Sequence, residues 1–152
     1  MKTLKRGDLV PAFKVKALTG ETISLKDLRG EVVLLDFWAT WCGPCRPEIP
    51  RIWEAYLKYH DRGFEVIGIS LDKDRKKLEK FIKDNEVSWP QVFDENGWKS
   101  ELAKLYGVHS IPRPILLNRE TRVYTPKARG KELDRALAEL FKDETPVIEN
   151  PL

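Results

Sequence analysis

Cysteine occurs only twice in this chain of 152 residues, and long apolar runs do not occur at all. A chain of this length buries roughly 70% of the surface its unfolded form exposes, so one domain with an ordinary core is expected, without a disulfide lattice or a structural metal. The two cysteines are thereby left for chemistry. No stretch approaches the roughly 18 to 20 uninterrupted apolar residues of a membrane span. The run from Val32 to Leu35 ends at Asp36. Charge of one sign is equally scarce: 27 Lys and Arg stand against 24 Asp and Glu, and the resulting +3 is too small and too evenly spread to argue for nucleic acid or an anionic membrane as a partner. Met1 to Asp8 is basic but lacks the apolar segment that a secretory signal carries behind such a start. As written, the chain is expected to stay where it is made, unless an export segment once preceded it. Internal repeats and low-complexity tracts are also missing.

What is present is an ordered series of short elements. Phe13 to Ala17 and Glu21 to Ser24 alternate around Leu18-Thr19-Gly20 and predict a hairpin. Ser24 with Asp27 has the form of a helix start, giving one turn over Leu25 to Leu28 that Arg29-Gly30 ends. Val32 to Trp38 is nearly all apolar, as expected of a strand covered on both faces at the centre of a sheet. Ile49, Ile52, Trp53, Tyr56, Leu57 and Tyr59 fall near helical spacing until Asp61-Arg62-Gly63. Phe64 to Leu71 is a second apolar strand, and Leu78, Phe81 and Ile82 put one apolar stripe on a charged helix between Asp74 and Asn85. This alternation is a βαβ unit with parallel strands. A turn at Asp94 to Gly97, a short helix around Leu102 to Tyr106, a hairpin of Ile115 to Asn118 with Arg122 to Thr125, and a closing helix through Leu133, Leu137, Leu140 and Phe141 complete the domain. Residues 142–152 are expected to be loose.

Cys42-Gly43-Pro44-Cys45 follows the buried strand and opens the next helix. A cysteine at the first exposed turn of a helix faces unpaired N–H groups and the positive end of the macrodipole, which favour a thiolate. Cys42 is therefore the candidate nucleophile. Cys45, three residues on, lies on the same helical face within disulfide reach and is the candidate resolving thiol. Pro44 suits the first helical position, where its missing N–H loses nothing. Half a zinc site is the competing reading, but His60 and His109 stand far apart in the chain and do not complete it. Covalent haem wants His at position 46, which is Arg. A purely structural disulfide across so short a loop constrains the unfolded chain very little.

The run Asp36-Phe37-Trp38-Ala39-Thr40-Trp41-Cys42-Gly43-Pro44-Cys45 resembles the active-site segment of the thioredoxin superfamily. With Arg46-Pro47-Glu48-Ile49-Pro50 after it, and Gly7-Asp8, Pro11, Phe13 and Leu25 to Gly30 before it, residues 6 to 141 are most similar to the TlpA/ResA-like thiol-disulfide oxidoreductases. The resemblance implies an α/β thioredoxin fold, a central mixed β-sheet flanked by helices, with an extra N-terminal β element in a domain of residues 1–141. It also implies that Asp36 is the buried acid that takes the proton of Cys45; the alternative is an Asp at a strand end satisfied by a neighbouring Lys or hydroxyl. Glu48 resembles the glutamate that tunes the thiols in this group, or else is an ordinary first-turn acid. Pro50 matches the kink proline. Ile111-Pro112 aligns with the cis-proline loop, whose backbone at Ile111 receives an extended substrate. Arg113-Pro114 departs from the usual Thr: Arg113 either brings positive charge near Cys42 or extends into water, and the strand is expected to begin after Pro114. Trp41 is expected to form an exposed docking rim with Gly43 and Pro44, and Trp38 to be core.

The function expected is thiol-disulfide exchange with protein dithiols and disulfides, run as a reductant by a monomer that an upstream thiol donor recharges. The Cys42-Cys45 pair stands in place of any cofactor or metal. The alternatives are a peroxiredoxin-like thiol peroxidase, for which Leu35 and Ala39 occupy the positions of a required Pro and Thr, and a non-enzymatic docking domain. The resemblance places such proteins outside the cytoplasm, in the periplasm or cell envelope; the chain as written leaves a cytoplasmic location as the alternative.

Overall fold

The protein is described by a computed structural model over residues 3–142, so the tail expected at 142–152 lies, beyond Lys142, outside the described residues. Among the described residues the strands are β1 (Lys14–Lys16), β2 (Thr22–Ser24), β3 (Val32–Trp38), β4 (Phe64–Ser70), β5 (Gln91–Phe93), β6 (Arg113–Leu117) and β7 (Val123–Thr125). The helices are α1 (Glu48–Tyr59), α2 (Arg75–Asp84), α3 (Glu101–Leu105) and α4 (Lys131–Leu140).

Every residue of β3 is buried, which is why this run carries no alternation: with neighbours on both edges and helices on both faces, either side of the strand must be apolar. The sheet order β5-β4-β3-β6-β7 puts β3 at the centre. β4 and β5 run parallel to their neighbours, whereas β6 and β7 are antiparallel, so the sheet is mixed. β1 and β2 form the predicted N-terminal hairpin, tied to the sheet edge by Leu18 N–H donating to Gln91 O.

Ring contacts assign the faces. Trp38 lies against Phe81 of α2 at 5.4 Å, and Tyr59 of α1 stacks on Phe141 after α4 at 4.7 Å. Phe37, the next residue along β3 and so on the other face, meets Tyr106 after α3, which in turn meets Phe13 of the N-terminal segment. Asp36 shares parity with Trp38 and therefore faces the helical layer that holds α1.

One local expectation changes, and the structure adds features the sequence did not mark. Ser24 makes no side-chain cap, and Leu25–Leu28 is a 3₁₀ turn. Asp74 and Ser100 do cap, accepting from Lys77 N–H at 3.1 Å and Ala103 N–H at 3.3 Å. β5 has no counterpart in the sequence reading, because three residues behind Pro90 are too few to show a period. It matters all the same. Gln91 reaches across β4 so closely that a Cβ on Gly68 would lie 2.2 Å from its Oε1, and the same oxygen accepts from Trp38 Nε1 at 2.8 Å.

Candidate functional site

Cys42 and Cys45 are joined by a disulfide, with Cα atoms 5.3 Å apart. The backbone around them is helical but does not form one continuous α-helix. Gly43–Cys45 is a 3₁₀ turn, with Cys45 N–H donating to Cys42 O, Arg46 N–H to Gly43 O and Ile49 N–H to Arg46 O; α1 proper begins only at Glu48. Pro47 and Pro50 explain the break. Neither has the N–H that an α-helix would send back four residues, to Gly43 and Arg46 in turn, so three-residue bonds close the path instead. Pro50 thus sits in the first turn of α1, where the missing donor loses nothing, and not as a kink within the helix. Pro44 is likewise the second residue of its turn, after Gly43.

The pair is less open than expected. Cys42 is 5% exposed and Cys45 1%, while Trp41, Gly43 and Pro44 stand out around them. Cys42 is the more exposed residue of the two and has an exposed neighbour on either side, Trp41 and Gly43.

Asp36 is 2% exposed, and its carboxyl is pushed up to about 7, first by burial and second by the negative charge of Glu48. Glu48 itself is well held. Its Oε2 accepts from Gly130 N–H at 3.1 Å and its Oε1 lies 3.6 Å from Arg129 Nε. Gly130 offers that N–H from a backbone with φ of 61°, a conformation glycine enters without a Cβ penalty. Glu48 therefore does two things: it anchors the start of α1 to the loop before α4, and it acts electrostatically on Asp36. Sequence reasoning missed Arg129, which lies far from Glu48 along the chain.

A second buried carboxylate fixes the loop leading to Cys42. Asp72, 3% exposed, accepts from Thr40 N–H at 3.1 Å, Thr40 O–H at 2.5 Å and Ser70 O–H at 2.6 Å. Arg46 closes the loop from outside, donating through Nε and Nη2 to Thr40 O at 3.1 and 3.0 Å. Thr40 and Arg46 flank the cysteines on either side, so this clamp sets where Trp41 and Cys42 emerge. No motif in the sequence marks Asp72.

The Ile111–Pro112 peptide bond is cis. Pro112 precedes Arg113, whose partner Phe37 is next to last in β3, so this bond lies at the end of the sheet from which the Cys42 loop departs. Arg113 shares the Phe37 face, opposite Asp36, and lines a cavity of about 120 Å³ with Tyr106, His109 and Ile115. The register thus carries its side chain to the face away from the α1 layer, which favours the second of the two readings of Arg113 over the one that brings its charge to Cys42. β6 also begins before Pro114, not after it. Pro114 O accepts from Ala128 N–H, on the edge away from β3, so its absent N–H also points outward and removes no bond of the β3–β6 ladder. Trp38 is 1% exposed, as expected of core, and Trp41 is 54% exposed.

Residues 6–126 match the AhpC/TSA family. The chain belongs to that family. Within it the chain is a ResA-like thiol-disulfide oxidoreductase: it is 35% identical to thiol-disulfide oxidoreductase ResA of Bacillus thuringiensis subsp. konkukian, over 92% of this chain and 79% of that protein. The thioredoxin domain of a thiol-disulfide oxidoreductase from Bacteroides vulgatus superposes with a TM-score of 0.81 at 29% identity, covering 90% of this chain and 98% of that one. A thiol-disulfide oxidoreductase from Bacteroides fragilis gives 0.80 at 34%, covering 88% and 99%. The thioredoxin fold and the redox-active Cys42–Cys45 disulfide expected from the sequence are both present. No helix among the described residues is long and apolar enough to cross a membrane.

Proposed function

We propose that this ResA-like oxidoreductase reduces disulfides in protein substrates, with Cys42 attacking and Cys45 resolving, in a domain spanning residues 1–141. The observation that carries the assignment is the Cys42–Cys45 disulfide itself, with Cys42 the more exposed residue of the pair and the buried Asp36 in the strand leading to them.

In the reduced protein the Cys42 thiolate is favoured by the N-terminal end of the helical path that begins at Gly43. It attacks one sulfur of the substrate disulfide, forming a mixed disulfide and releasing one substrate thiolate. Cys45 then passes its proton to the Asp36 carboxylate, and its sulfur attacks that of Cys42. The Cys42–Cys45 bond forms, the mixed disulfide breaks and the second substrate thiolate leaves. The substrate has gained two electrons and the protein dithiol has lost them, so an upstream dithiol must restore it. A carboxyl poised near 7 suits Asp36 to both halves of the proton transfer. Glu48 adjusts that poise through its charge. Trp41, Gly43 and Pro44 form the docking rim, and the backbone at Ile111 beside the cis bond of Pro112 is offered to an extended substrate strand. Arg113 borders that strand's entry on the opposite face.

Gly43-Pro44 resembles the dipeptide of reducing thioredoxins, and this supports the reductive direction. The TlpA/ResA resemblance supports a periplasmic or cell-envelope location and a monomer acting on protein thiols. The peroxidase alternative is disfavoured by Leu35 and Ala39, both fully buried apolar residues where it needs Pro and Thr. Insulin-disulfide reduction with dithiothreitol as donor tests the reading. The parent is expected to turn over, and Cys42→Ser to be inactive; a Cys42→Ser protein as active as the parent contradicts the assignment.

A further inference from the structure

Two large aromatic side chains are left in water beside the cysteines. Trp41 is 54% exposed and Trp98 46%, and their rings meet at 6.1 Å with a tilt of 54°. Trp98 lies in a 3₁₀ turn, Gly97–Lys99, that packs onto the loop after β4: a Cβ on Gly97 would lie 2.8 Å from Lys73 Cε. Between the tryptophans and that loop is a hollow of about 360 Å³. Its floor includes Leu71 and Thr40, and Lys73 and Lys77 stand at its edge. Of the two acids of this hollow, Asp72 is buried and Asp74 is exposed. Asp72 receives Thr40 and Ser70, and Asp74 receives the Lys77 N–H as the cap of α2. Lys73 and Lys77 are exposed and make no ion pair among the described residues; against them stands one exposed acid, Asp74, so the exposed charge lining the hollow is positive by a single unit.

We propose that this hollow is a docking subsite for the substrate protein, taking one apolar or aromatic side chain between Trp41 and Trp98 and acidic residues against Lys73 and Lys77. The inference rests on the reductase reading above and specifies the kind of substrate. An apolar side chain entering the hollow removes the faces of both tryptophans from water. Carboxylates beside it meet two exposed lysines that form no ion pair among the described residues, which favours encounter more than residence. The occupant is thus a segment near the scissile disulfide that carries Phe, Leu or Tyr next to Asp or Glu.

The test uses two synthetic peptides with the same internal disulfide and the same Phe, one flanked by glutamates and the other by lysines. The reduced full chain is assayed on both, and on bis(2-hydroxyethyl) disulfide, which has neither charge nor side chain. At low ionic strength the acidic peptide is expected to be reduced with kcat/KM about tenfold above the basic one, a ratio that falls toward one at about 0.5 M salt. In the Lys73→Gln/Lys77→Gln protein the ratio is expected to fall toward one at low salt as well. Trp98→Ala is expected to lower kcat/KM about fivefold on both peptides. No turnover of the small disulfide defeats the reductase reading itself. Turnover of the small disulfide with equal rates on the two peptides overturns the docking inference and leaves the reductase reading standing. So does a self-associating protein whose dimer interface covers Trp98.

Discussion

Asp36 and Asp72 lie near the same end of two neighbouring strands, 2% and 3% exposed, and are treated in opposite ways. Asp72 is surrounded by donors, two from Thr40 and one from Ser70, and so holds the loop that delivers Cys42. Asp36 is acted on by burial and by a second carboxylate, Glu48, and its carboxyl rises to about 7. Equal burial therefore yields an anchor in one case and a proton acceptor in the other; what separates them is the supply of N–H and O–H groups.

Substitutions at the two positions are expected to move stability in opposite directions. Asp72→Ala leaves Thr40 N–H, Thr40 O–H and Ser70 O–H without their partner. At about 1 to 3 kcal/mol for each stranded buried group it is expected to cost roughly 4 kcal/mol or more, read as a large fall in Tm at every pH. Equal melting of variant and parent would remove the anchor from the comparison.

Asp36→Asn works the other way. A carboxyl raised from 3.8 to about 7 holds its proton more tightly when folded, so the parent loses stability as pH rises from about 4 to 7 and stays at the lower level above that. The gap of about 3 units corresponds to at most roughly 4 kcal/mol. The oxidised Asp36→Asn protein is therefore expected to match the parent near pH 4 and to melt higher at pH 8, while its disulfide exchange slows. Parallel Tm curves against pH would contradict the account of Asp36.

Smaller effects sharpen the surroundings. Gly68→Ala pushes a methyl into Gln91 and is expected to cost about 1 to 3 kcal/mol, with loss of the Trp38–Gln91 hydrogen bond. Arg129→Ala removes the cation beside Glu48, so Asp36 feels more negative charge and the acid limb of the pH–rate profile is expected to move upward by about half a unit or less. A downward movement would mean that Glu48 reaches Asp36 by some route other than its charge.

How much of this was legible follows from chain distance. Asp36 stood out because a single acid interrupts an apolar strand, and Cys42 and Cys45 because their spacing follows that strand. β3 and β4 were equally plain, since strands buried on both faces read as unbroken apolar runs. Asp72 was hidden: it sits among Lys73, Asp74 and Arg75, and Thr40, which it holds, comes from a different strand end. Arg129 and Gly130 were hidden for the same reason, because only the packing of α4 beside α1 brings them to Glu48. Trp98 gave no period and no motif. The loop at Ile111-Pro112 was reached through the resemblance alone. The start of β6 was misplaced beyond Pro114, and the two readings of Arg113 stayed open, because face and edge depend on register, which a lone strand does not specify.

The account turns on the division of labour between the two sulfurs, and trapping measures it directly. Reduced Cys45→Ser and Cys42→Ser proteins are each mixed with a disulfide-bonded substrate such as insulin, quenched with acid and analysed by intact mass. The account predicts that Cys45→Ser accumulates a mixed disulfide through Cys42 that no internal thiol resolves, and that Cys42→Ser accumulates little, Cys45 being the less exposed residue of the pair. Trapping through Cys45 at the same rate as through Cys42 would contradict it.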